Sequence, residues 1–107
     1  MEEISSYEIH LKEELQTKDV MEIHQFSLKG ENNIYLYREN VIADARNLPK
    51  LLSFFFITPK SNSIVMIIDG VNTKESYEDI ISILDDQAKN TVLRVNHQLQ
   101  SNESIVV

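Results

Sequence analysis

The sequence predicts a single α/β or α+β domain over residues 1–107, with a mixed sheet of three to five strands covered by two or three helices. Three features carry this expectation. The run Ser63-Ile64-Val65-Met66-Ile67-Ile68 is almost wholly apolar and stops at Asp69-Gly70, the pattern of a strand covered by helices on both of its faces. Behind it, Tyr77, Ile80, Ile81, Leu84 and Ala88 fall on one stripe of a helix over residues 73–89. The 107 residues, 42% of them hydrophobic, suffice for one core and contain no linker that would divide them.

The N-terminal segment reads two ways. Ser5 and Glu8 are spaced as a capping box, and Ile4, Tyr7, Leu11 and Leu15 share a helical stripe, which favours a helix over residues 6–17. Tyr7, Ile9 and Leu11 also alternate with Glu8 and His10, so a strand is the competing assignment. Residues 20–28 and 34–37 are rich in β-branched and aromatic types around Gly30, Asn32 and Asn33, and predict an antiparallel hairpin with a five-residue loop. Asn47 is suited to cap a helix whose first turn holds Pro49. That helix carries the stripe Leu48, Leu51, Leu52 and Phe55, and ends at Thr58-Pro59. A last strand is expected over residues 91–95, followed by an edge strand or a loose tail over 98–107.

Cysteine is absent, which removes disulfides and thiolate metal sites and fits a cytoplasmic protein. The N-terminus is acidic where a secretory leader is basic, and no apolar run has the length of a membrane span. The net charge of −7 is unevenly placed: residues 1–31 hold 8 acids against 3 bases, 69–86 hold 6 against 1, and 32–68 hold 2 against 4. Nucleic acid and anionic membranes are therefore poor partners, whereas a basic protein is a suitable one.

Catalytic signatures are lacking. Two glycines cannot build a phosphate-cradling loop, and no histidine pair has metal-ligand spacing. Neither does any serine sit in a nucleophile elbow. The sequence thus predicts no catalytic residue, metal ligand or cofactor. The place where the apolar strand gives way to the helix is different, because free amides and the helix dipole gather at such junctions. Asp69, Asn72, Thr73, Lys74 and Ser76 are the candidate interaction or switch residues there. Gly70 supplies the turn, and Asn72 or Thr73 the cap.

The succession of segments 34–37, 48–56, 64–71, 73–87 and 91–95, with Asp69-Gly70-Val71 closing the apolar strand, resembles the STAS family of regulatory domains. That resemblance implies binding to partner proteins and a switch by phosphorylation of a Ser or Thr at a helix start. In place of the family's Asp-Ser-Ser-Gly-like stretch the chain has Asn72-Thr73-Lys74-Glu75-Ser76, which leaves Thr73 and Ser76 both open as acceptors. A second likeness, in size, acidity and class, is to barstar-type inhibitors. The sequence is read as a non-enzymatic interaction or regulatory module of bacterial or phage type, acting on a protein partner. Its alternatives are a STAS-like phospho-switch, a barstar-like inhibitor, a small enzyme assembled from dispersed residues, and a subunit of a larger assembly. For the last, or for a homodimer, Phe54, Phe56 and Ile57 would form the exposed patch.

Overall fold

The computed structural model describes residues 2–11, 15–56 and 63–84 with their side chains, and residues 88–98 as backbone. Five strands and three helices follow in the order β1 (Glu3–Leu11), α1 (Thr17–Lys29), β2 (Asn33–Arg38), β3 (Val41–Asp44), α2 (Leu48–Phe56), β4 (Ser63–Gly70), α3 (Thr73–Leu84) and β5 (Ala88–Gln98). The strands form one sheet in the order β3-β2-β4-β1-β5, with β4 at its centre.

All four neighbouring pairs are antiparallel, where a mixed sheet was expected. The reason lies in the crossovers. α1 links β1 to β2, α2 links β3 to β4 and α3 links β4 to β5, and in each case another strand separates the two that are joined. The joined strands do run parallel, as strand-helix-strand units require, but they never become neighbours.

Four segments differ from the sequence reading. The helix expected over 73–89 is described to Leu84, and Ala88, placed on its stripe, opens β5. β1 is a strand because Ser5, Tyr7, Ile9 and Leu11 all turn inward with period two, and pairing on both sides outweighs a local capping box. Residues 20–28 lie in helix α1, not in a hairpin. Val20, Ile23 and Ser27 are its buried residues, at helical spacing, and Gln16 and Asp19 form the capping box that starts it. The β-branched content was the misleading signal, since burial of one face decides the state. The hairpin is instead β2–β3, turned by Glu39 and Asn40, both with positive φ (51° and 63°). This two-residue turn lacks the Asn-Gly or Asp-Gly signature of its type, so β3 escapes notice in the sequence.

Two expectations hold closely. β4 spans the apolar run, and Asn47 caps α2 by accepting the Lys50 amide at 3.2 Å. The coverage of β4, however, is one-sided. Ile64, Met66 and Ile68 are buried while Val65 and Ile67 are half-buried. The inward residues of β1, β2 and β4 join Val20 and Ile23 of α1, Leu51, Phe54 and Phe55 of α2, and Ile80 and Leu84 of α3 in the core. Each such side chain contributes about 1.5–3 kcal/mol of burial. Phe54 belongs to this core and not to an exposed patch; Phe56 is exposed, and Ile57, the third of that predicted trio, lies outside the described residues, as do residues 99–107.

Candidate functional site

The junction between β4 and α3 is held by residues far away in sequence. The side-chain oxygen of Asn32 accepts the Val71 amide at 3.0 Å, and its Nδ2 donates to the Val71 carbonyl at 2.7 Å and to Ser76 Oγ at 2.9 Å. A buried asparagine thus pairs with Val71 as a strand backbone would. Gly70 turns the chain with φ of +152°, and Asn72 follows at φ 55°, a region that asparagine tolerates better than most residues. Asn72 lends its carbonyl to the Glu75 and Ser76 amides, opening the helix.

The cap of α3 comes from β1. Glu3 accepts both the Thr73 amide (3.1 Å) and the Thr73 hydroxyl (2.7 Å) through one carboxylate oxygen. With that hydroxyl hydrogen committed, Ser5 Oγ is the donor in its 2.6 Å bond to Thr73 Oγ1. A carboxylate at a helix N-terminus is also favoured by the dipole. Thr73 is fully buried by this arrangement.

The five predicted residues therefore part company. Asn72 and Ser76 line an open cleft of about 310 Å³ between the end of α1 and the start of α3, with Phe26, Asn32 and Val71 beside them and Glu31, Glu75 and Asp79 at its margin. Thr73 is buried and is not part of the cleft lining. Lys74 is exposed and lies outside the cleft lining. Asp69 belongs to the opposite side of the sheet, in register with Ile4 and Asn33. Sequence reading missed Asn32 and Glu3, which stand 39 and 70 residues from their partners, and no local pattern announces such contacts.

A second surface is the side of the sheet that carries no helix among the described residues. Tyr37 lies between Ile42 and Val65, and Tyr35 between Asp44 and Ile67, in directly opposed register. Tyr37 and Ile42 are exposed, whereas Tyr35, Val65 and Ile67 are half-buried. Glu8 stands opposite Val65. It meets His10 Nε2 at 3.2 Å and accepts a bond from Ser63 Oγ at 3.3 Å. Burial raises the pKa of the Tyr35 phenol, and the carboxylates of Asp44 and Asp69 raise it further, against a smaller opposing effect of Arg46. Arg46 is itself engaged, donating to the carbonyls of Ser27, Gly30 and Asn32 and to the side chain of Asn33.

Among the described residues no group of three or more His, Asp or Glu side chains is placed to hold a metal ion, and no helix is long and apolar enough to cross a membrane. His24 has Nδ1 on the Ala45 carbonyl at 2.8 Å, away from the cleft lining. No family model and no curated protein matches the chain.

Proposed function

We propose that the protein is a non-enzymatic interaction or regulatory module that binds a protein partner on the open face of its sheet. The observation that carries this reading is the contiguous platform of Ile42, Tyr37, Val65, Tyr35 and Ile67 on a side that no helix of the described residues covers. Apolar and aromatic side chains gathered on one exposed surface are what interface cores are made of. A photo-crosslinking residue placed at Tyr37 tests it. Adducts in cell extract should form there, vanish on adding Val65→Asp, and be absent when the crosslinker is moved to Ser82 of α3. Equal labelling at both positions, or turnover of a small molecule by the purified protein, would count against the reading.

A phosphorylation switch is the second reading, and one observation favours its restriction to a single residue. Ser76 lines the cleft, whereas Thr73 is buried under Glu3 and Ser5. Phosphate on Ser76 would stand between Asn32 and the carboxylates of Glu75 and Asp79 and would strain the clasp on Val71. Intact-mass measurement after exposure to the native kinases tests this, with modification expected at Ser76 and none at Thr73 in the folded protein.

A further inference from the structure

We infer that the segment seated on the open sheet face is a basic one, laying an apolar side chain on Tyr37 and Val65 and a Lys or Arg beside Tyr35, between Asp44 and Asp69. The inference rests on the docking reading above and names the chemistry of the partner. Its ground is charge complementarity. The outward positions of β1 to β4 include Glu8, Asp44 and Asp69 but neither Lys nor Arg. Among the described residues the cation that acts on Tyr35 is Arg46, and it is tied to carbonyl oxygens at the end of α1 and in the α1–β2 connection. His10 is spent on Glu8.

The geometry suits a cationic side chain better than a free ion. Asp44 is opposite Tyr35 in the β2–β3 pair, and Asp69 is two residues from Ile67, the partner of Tyr35 in the β2–β4 pair. The two carboxylates thus stand on the strands that flank β2 on either side of this phenol. A Lys or Arg stem can lie along Ile67 and the ring while its head meets the carboxylates and the negative π-face. A second copy of this chain would set the same acidic rim against itself, in a protein with net charge −7, and like charges opposed across an interface are costly.

Fluorescence anisotropy of the full-length chain with three labelled nine-residue probes, in which valine alternates with arginine, serine or glutamate, tests the inference. The arginine probe should bind at least tenfold tighter than the serine probe at low salt, and lose most of that advantage at high salt. Asp44→Asn together with Asp69→Asn should remove the advantage and leave serine-probe binding unchanged. Asparagine at 44 keeps the oxygen that accepts the Arg46 amide, and circular dichroism controls for folding. Equal binding of all three probes, all lost with Val65→Asp, would overturn the charge assignment while the docking face stands. Arginine-probe binding that survives the double substitution would overturn it too. If no probe responds to Val65→Asp, both the inference and the docking reading fall. Sedimentation showing a dimer that Val65→Asp dissociates would give the face to a second copy and sink the inference.

Discussion

Asn32 occupies the space that any side chain at position 70 would need: a Cβ built on Gly70 would lie 2.1 Å from Asn32 Oδ1 and 2.6 Å from its Cγ. The positive φ of Gly70 adds a backbone penalty for every L-residue. Gly70→Ala should therefore destabilise by about 2–4 kcal/mol, the sum expected of a clash with a buried group and a strained dihedral. Urea unfolding checks this. Combined with Asn32→Ala, the loss should be smaller than the sum of the single losses by at least 0.5 kcal/mol or so, since residues in contact couple. Additivity would show that the two do not compete for space.

Glu3 reaches across from the first strand to cap the third helix, and this link joins elements 70 residues apart in the chain. Glu3→Gln should cost about 0.5–2 kcal/mol, as expected of a helix cap and a charge-assisted bond. Thr73→Val, which keeps the volume but removes the hydroxyl, should cost a similar amount. It also removes the bond between Ser5 Oγ and Thr73 Oγ1. In a double-mutant cycle the two should couple strongly, read from the denaturation midpoints of the four proteins. Independent effects would mean that the carboxylate and the hydroxyl do not act as one cap.

How far the fold could be read in advance depended on the reach of each contact. β4 and α2 announce themselves because their signals are local: an apolar run closed by Asp69-Gly70, and Asn47 with Pro49 at a helix start. α1 was misread because Val20, Ile23 and Phe26 have strand-like composition at helical spacing. The antiparallel order was invisible, since inserting β2 between β3 and β4, or β1 between β4 and β5, leaves no mark on the sequence. At the junction, Asn72 and Ser76 were legible from position alone. Asn32 and Glu3, which hold it together, were not.

Two tyrosines set a limit on stability at alkaline pH. Tyr7, buried and stacked on Tyr77 at 3.8 Å between ring centroids, has its pKa raised chiefly by burial, as does Tyr35. A phenol whose folded-state pKa lies above its unfolded value binds its proton more tightly in the native state. The stability it contributes is complete below the unfolded pKa, near 10, and is lost as pH rises through the folded value. Unfolding free energy should thus be insensitive to these groups at neutral pH and should fall above about pH 10. Tyr7→Phe and Tyr35→Phe should each flatten that fall, and their combination should flatten it most. Urea titrations between neutral pH and pH 11 measure it, and an alkaline slope unchanged by both substitutions would refute the assignment.

The three phenylalanines of α2 divide into core and surface, and their substitution should divide in the same way. Phe54 is fully buried, stands edge-on to Phe55 with centroids 5.1 Å apart, and carries the guanidinium of Arg38 5.0 Å above its ring. Arg38 is 3% exposed and also donates to the Phe54 carbonyl at 2.7 Å, so the ring shields a charge that is costly to bury. Phe54→Ala opens a cavity and withdraws the cation–π contact, and should cost about 3–5 kcal/mol, at the upper end if Arg38 does not relax. Phe56 is 41% exposed, so Phe56→Ala should cost less than about 1 kcal/mol. Phe54→Leu restores apolar volume without the aromatic face. Stability recovered only in part would assign the remainder to the lost ring contacts with Arg38 and Phe55. Full recovery would show that volume alone matters and that the guanidinium gains nothing from the ring.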